Sequence, residues 1–136
     1  MPPRLDTIDH IHVLVANREA SERWYGEVLG LSRVGELAFW SAGGGPLTIA
    51  NEQNTVHLAL FERPPERCRS TIAFGVDAEE FCRWRAHLHA VFGREFEAED
   101  HEVSWSLYFN DPDGNPFEIT SYEHENIKQA LARQAA

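Results

Sequence analysis

Two copies of one βαβββ order, an alternating strand that carries paired imidazoles, and a carboxylate on an oily closing strand predict the fold class. The class is α+β, with two tandem βαβββ modules whose curved mixed sheet surrounds a central cavity. Residues 8–15 alternate, with Ile11, Val13 and Val15 on one side and His10, His12 and Leu14 on the other, the period of a half-buried strand. Asn17 offers an N-cap oxygen, Ala20, Trp24, Val28 and Leu29 fall on one helical stripe, and Gly30 supplies the stop. Residues 36–41, 47–51 and 55–62 then read as three strands, the first two separated by glycines 43–45 and Pro46.

The second half repeats the order. Residues 70–76 read as a strand, Asp77 with Glu80 resembles a capping box, and Phe81, Trp84, Leu88, Val91 and Phe92 stripe a helix that Gly93 ends. Strands are expected at 94–97, 103–110 and 116–121, the last two joined by the tight turn 111–115. The expected organisation is one domain over residues 1–136. It comprises module one at 5–62, a proline- and charge-rich linker at 63–69, module two at 70–122, and a C-terminal helix at 123–136 carrying Ile127, Ala130 and Leu131 at helical spacing.

Composition narrows the function classes. A chain of 136 residues at 43% hydrophobic content supports a single sizeable core. A formal net charge of -10, from 22 acidic against 12 basic residues, repels nucleic-acid backbones and anionic membrane surfaces. Cys68 and Cys82 form no CxxC pair and read as reduced thiols. The amino end lacks the apolar core of a secretory signal, and no stretch reaches the roughly 18 apolar residues of a membrane span, so a soluble cytoplasmic protein is expected.

Alternation also sorts core from site, because helices covering one face of a curved sheet leave the other face to line a cavity. The inward set is His10, His12, His57, Thr71, Glu118 and Thr120, interspersed with small residues. A carboxylate in a concave pocket is costly unless a cation or several donors offset it. Imidazoles and a carboxylate that leave positions open suit Fe(II), Mn(II), Ni(II) or Zn(II), and such an ion polarises a substrate carbonyl. Phe61, Trp40, Trp105 and Tyr108 are candidates for an aromatic wall, and His101 for a lid residue. His87 and His89 read as solvated. Residues 111–115 lack the ligand spacing of an EF-hand loop, glycines 43–45 are followed by no GK[ST], and no GxSxG is present.

Three segments together carry a resemblance: Ile8-Asp9-His10-Ile11-His12-Val13, Trp24-Tyr25-Gly26-Glu27-Val28-Leu29-Gly30-Leu31, and the closing run from Phe109-Asn110-Asp111-Pro112-Asp113-Gly114-Asn115 to Pro116-Phe117-Glu118-Ile119. With the doubled module, they resemble the vicinal oxygen chelate superfamily, which includes glyoxalase I, methylmalonyl-CoA epimerase, extradiol dioxygenases, fosfomycin-resistance thiol transferases and bleomycin-resistance proteins. The resemblance runs from Leu5 to Tyr122. It implies a glyoxalase-like fold with metal ligands drawn from the first and last strand of each module. His10 and Glu118 match the first-module histidine and closing glutamate, whereas Thr71 stands where a histidine usually begins module two, and Ala59 holds the remaining position. His57, one pleat from Ala59, is put forward as the third ligand.

The function this implies is that of an enzyme in which a divalent ion on His10, His57 and Glu118 chelates a small substrate through adjacent oxygens. Glyoxalase-like lyase or isomerase chemistry is placed ahead of ring-cleaving dioxygenation. Glu118 doubles as general base, and His12, Thr71, Phe61, Trp40, Trp105, Tyr108, Thr120 and His101 contact substrate. The alternative is a metal-free small-molecule-binding protein of the bleomycin-resistance kind, whose acidic surface attracts a cationic drug; an accessory subunit without activity is the third reading. A homodimer is expected by resemblance.

Overall fold

Alternation and capping signals organise both halves of the chain. The computed structural model describes residues 1–64, 66 and 68–136, and they divide into two units, Met1–Arg67 and Cys68–Ala136. Of the expected linker 63–69, Pro65 and Arg67 lie outside the described residues.

The first unit runs β1 (Ile11–Val15), α1 (Arg18–Leu29), β2 (Ser32–Arg33), a 3-10 turn at Gly35–Leu37, α2 (Phe39–Ala42), β3 (Leu47–Ala50) and β4 (His57–Glu62). The Asn17 side chain accepts a hydrogen bond from the Ala20 N–H at 2.9 Å and opens α1. Gly30, at φ 69°, closes it in a left-handed conformation that a side chain would strain. The strands form a mixed sheet in the order β1-β4-β3-β2, with β1 parallel to β4. α1 lies on β2 and β4 and buries Tyr25, Val28 and Leu29, while Val13, Val15, Leu47, Ile49, Leu58 and Leu60 are among the buried strand residues. Each such side chain contributes about 1.5–3 kcal/mol by leaving water.

The second unit repeats the design with β5 (Ile72–Gly75), α3 (Ala78–Phe92), β6 (Glu99–Asp100), β7 (Trp105–Asn110) and β8 (Pro116–Ser121), and adds α4 (His124–Ala135). Its sheet has the order β5-β8-β7-β6, with β5 parallel to β8. Asp77 accepts from the Glu80 N–H at 2.9 Å and Gly93, at φ 67°, ends α3. α3 packs on β8 and α4; Phe81, Leu88, Leu107, Phe117, Ile119 and Ile127 are buried. The class is therefore α+β, with two four-stranded mixed sheets rather than one.

Two strand expectations are corrected. Residues 36–41 are helical: Arg18 donates to the carbonyls of Gly45 at 2.6 Å and Ser41 at 3.2 Å, and Ser41 Oγ donates to the Ala38 carbonyl at 2.7 Å, which together fold the segment back on itself. Residues 94–97 form no strand, because Arg85 Nε takes the Phe96 carbonyl at 2.7 Å and the Arg94 guanidinium lies 3.8 Å from the Phe96 ring centroid. The edge strand falls at Glu99–Asp100 instead. The 111–115 turn satisfies its own carboxylate: Asp111 Oδ1 accepts from the N–H groups of Asp113 and Asn115, and Oδ2 from Asn115 Nδ2.

Candidate functional site

In the first unit the register sets the polar face of the sheet. His12 is level with Ala59 across the β1-β4 pair, and Thr48 is level with Ala59 across β3-β4, so His12, Thr48, Ala59 and, two residues on, Phe61 share one side. The His12 ring lies against Phe61 with centroids 4.6 Å apart. His10, two residues before His12, stacks on it at 5.0 Å with Nε2 to Nε2 at 3.1 Å. Asp9 Oδ2 is 2.7 Å from His10 Nδ1. In the neutral ring that contact holds the proton on Nδ1 and leaves Nε2 as the lone-pair nitrogen. His57, at the head of β4, has Nε2 2.8 Å from Asn54 Oδ1 in the preceding turn, where an amide oxygen accepts the ring proton.

In the second unit β8 alternates cleanly. Phe117, Ile119 and Ser121 are buried, and Glu118 and Thr120 face the other way. Glu118 is level with Ala73 on β5 and Tyr108 on β7; Thr120 is level with Gly75 and Ser106. The buried Ser106 hydroxyl donates to Glu118 Oε2 at 2.6 Å and lies 3.1 Å from Thr120 Oγ1, which in turn donates to the Trp105 carbonyl. Tyr108 Oη is 3.0 Å from His101 Nε2. Loss of solvent around its hydroxyl holds the Tyr108 phenol above its ordinary range; a hydrogen bond with Ser106 works against this, and the Glu118 and Glu99 carboxylates add to it. Tyr108 therefore remains an O–H donor at neutral pH.

The structure thus groups His10, His12 and Phe61 in the first unit, and Glu118, Thr120, Tyr108 and His101 in the second. Thr71 precedes β5 and is exposed. Two aromatic candidates are not brought to these faces. Trp105 is three residues from Tyr108, on the opposite side of β7, where its ring stacks on His124 at 5.3 Å and its indole N–H donates to the His124 carbonyl. Trp40 belongs to α2 and leans on Phe39 at 5.5 Å. His124 is occupied as well: its Nε2 lies 2.6 Å from Asp100 Oδ1, and that bond, with one from the Glu102 N–H, holds the Asp100 carboxyl below its ordinary range.

Ser106 and Asp9 are the contributors that the sequence reading missed. Ser106 carries the parity of Tyr108 on β7, and Asp9 is the carboxylate next to His10; both signals lay in the chain.

Among the described residues, no three His, Cys, Asp or Glu side chains are gathered as a metal-holding group. The donor chemistry nevertheless fits a divalent transition ion. Taken unit by unit, the first presents an imidazole backed by a carboxylate with a second imidazole nitrogen beside it, and the second, by itself, a carboxylate steadied by a hydroxyl; each is a donor type such ions accept.

A family model described as the Glyoxalase/Bleomycin resistance protein/Dioxygenase superfamily matches residues 7–119. The chain is similar to a glyoxalase/dioxygenase from Nostoc punctiforme, at 22% identity over 90% of this chain and 94% of that one, with a TM-score of 0.68. It is similar also to the fosfomycin resistance protein FosX from Listeria monocytogenes complexed with Mn(II) and sulfate, at 15% identity, 94% and 99% coverage, and a TM-score of 0.63. A mutant FosX from the same organism, complexed with Mn(II) and 1S,2S-dihydroxypropylphosphonic acid, matches at 17% identity, 94% and 99% coverage, and a TM-score of 0.65. At these identities the likeness is one of fold. The family match over most of the length, joined to the doubled βαβββ frame, places the chain in the Glyoxalase/Bleomycin resistance protein/Dioxygenase superfamily.

Proposed function

We propose that this protein is a metal-dependent enzyme acting on a small substrate held through two adjacent oxygens, with glyoxalase-like lyase or isomerase chemistry ahead of ring-cleaving dioxygenation. The observation that carries the reading is the 2.7 Å contact between Asp9 and His10 Nδ1, which readies Nε2 as a donor nitrogen. His10 and Glu118 are the proposed protein ligands. His57, with Nε2 turned to Asn54, enters as a polar wall residue. A divalent ion bound there supplies Lewis acidity toward a substrate carbonyl. Similarity to FosX proteins that hold Mn(II), one of them with a vicinal diol phosphonate, supports the metal and the adjacent-oxygen substrate.

The chain's own groups divide the remaining work. Ser106 steadies Glu118 through one carboxylate oxygen and leaves the other available to take a proton from carbon beside a carbonyl. Tyr108, kept protonated, donates a hydrogen bond to substrate oxygen, and His101 orients its hydroxyl. Thr120, Thr71, His12 and Phe61 complete the substrate contacts. The partner set is a small molecule and a second copy of the chain, without nucleic acid or membrane; the charge of -10 opposes both, and no helix among the described residues is long and apolar enough to cross a membrane.

The rival reading is a metal-free binder of the bleomycin-resistance kind, favoured by one feature: Thr71 offers a hydroxyl where the second module of metal-using relatives begins with an imidazole. Metal analysis of untagged protein incubated with Fe(II), Mn(II), Ni(II) or Zn(II) separates the two. The enzyme reading expects about one equivalent, lost in His10→Ala and Glu118→Ala. Absence of any retained metal under all four conditions favours the binder.

A further inference from the structure

The first unit brings two imidazole nitrogens into direct contact at the head of its sheet. His10 Nε2 and His12 Nε2 face each other at 3.1 Å, yet Asp9 already takes the proton-bearing Nδ1 of His10. With both rings neutral, His10 presents a lone pair to its neighbour and one proton on His12 Nε2 joins the rings. A cation accepting both lone pairs performs the same joining without that proton. The distance suits it: at a metal–nitrogen bond of about 2.05 Å, two ligand nitrogens sit about 2.9 Å apart at a right angle and about 3.3 Å apart at the tetrahedral angle.

The surroundings favour a fixed donor pair. Phe61 lies against His12 at 4.6 Å and limits its rotation, while the stacked His10 ring, tilted only 24° from it, is held by Asp9. His12 lies on β1 and His10 immediately precedes the strand, two residues away, so adjacent backbone brings both nitrogens together with no long loop to close. His57, by contrast, spends Nε2 on Asn54.

We infer that His10 and His12 together form a two-imidazole chelate for a divalent transition ion, with His12 supplying the second nitrogen that Thr71 does not. The inference rests on the metal-dependent reading above and alters its donor set. Asp9 acts as the positioning residue, setting the tautomer of His10.

Two measurements on the untagged full-length chain decide it. Stripped protein is titrated with Zn(II) while imidazole ring nitrogens are followed by long-range proton–nitrogen correlation. The Nε2 signals of residues 10 and 12 move together and saturate at about one equivalent, with residue 57 unmoved. A residue 12 signal that stays in place overturns the inference without needing any variant to fold. Calorimetry with Ni(II) gives the second reading: His12→Phe weakens binding at least about tenfold, Asp9→Asn about tenfold, and His57→Phe leaves it within twofold. Wild-type affinity in His12→Phe, alongside loss in His10→Ala and Glu118→Gln, overturns the chelate and leaves the proposed function standing. No Zn(II) or Ni(II) binding by the wild-type chain overturns both.

Discussion

The two units share a strand order and a register, yet dress the same frame with opposite chemistry. Matching the parallel pairs sets Ala59 of β4 against Glu118 of β8, and His12 of β1 against Ala73 of β5. Extending the match puts His10 with Thr71, Phe61 with Thr120, and Thr48 with Tyr108. Where one half carries imidazoles and an aromatic ring, the other carries a carboxylate and hydroxyls. The core positions do not diverge in this way: Leu60 and Ile119 correspond and both are fully buried. Packing constrains the apolar side of a repeated sheet, whereas its polar side is free to differentiate.

The comparison is broken most readily at the core. Leu60→Ala and Ile119→Ala each lower unfolding free energy by about 2–5 kcal/mol in urea denaturation, since each removes a buried side chain and leaves a cavity. A loss below about 1 kcal/mol at either position denies the equivalence of the two cores. A smaller effect sharpens the polar contrast. Ser106→Ala costs about 1–2 kcal/mol by the same measurement, because Glu118 loses its short hydrogen bond. The matched helix starts come next: Asn17→Ala and Asp77→Ala each cost about 1 kcal/mol, the value of one N-cap, and similar losses confirm that both helices open alike.

The smallest effect is electrostatic and belongs to the first unit. Arg33 hydrogen-bonds Glu22 and holds its carboxyl below the usual range, with burial opposing and the charge of Arg33 assisting. A folded-state value below the unfolded one means the pair stabilises fully above the unfolded carboxylate range, near about 4.3, and its contribution disappears as pH falls through the folded value. Both side chains are partly exposed, so Glu22→Gln loses only about 0.5 kcal/mol at pH 7. Denaturation curves of wild type and variant converge on acidification; a gap that widens instead contradicts the sign.

Local signals made most of the frame legible before any coordinates. Asn17 and Gly30, like Asp77 and Gly93, mark helix ends through contacts within a few residues, and the alternation of Phe117, Glu118, Ile119 and Thr120 separates core from site on β8. What escaped depended on distant partners. The segment around Trp40 is helical because Arg18, more than twenty residues earlier, caps its carbonyls, and no periodicity within 36–41 records that contact. The 94–97 segment gives a backbone carbonyl to Arg85 instead of to a strand. Trp105 is a different case. Its three-residue spacing from Tyr108 places the two on opposite faces of β7, so parity alone separates Trp105 from the face that Tyr108 shares. In the candidate site, alternation separates the strand faces that carry Glu118 and Tyr108 from the core, while the Nε2 approach of His10 and His12 depends on ring orientations that a sequence does not carry.

The proposed function requires that His10 and Glu118 are each needed for the chain to take up a divalent ion. Electron paramagnetic resonance of Mn(II) added to the untagged chain measures it directly through the signal of the free aquo ion. The account predicts that wild-type protein removes about one equivalent of that signal and that His10→Ala and Glu118→Gln each restore it. A free-ion signal undiminished by the wild-type chain, or a loss that survives both substitutions, contradicts it.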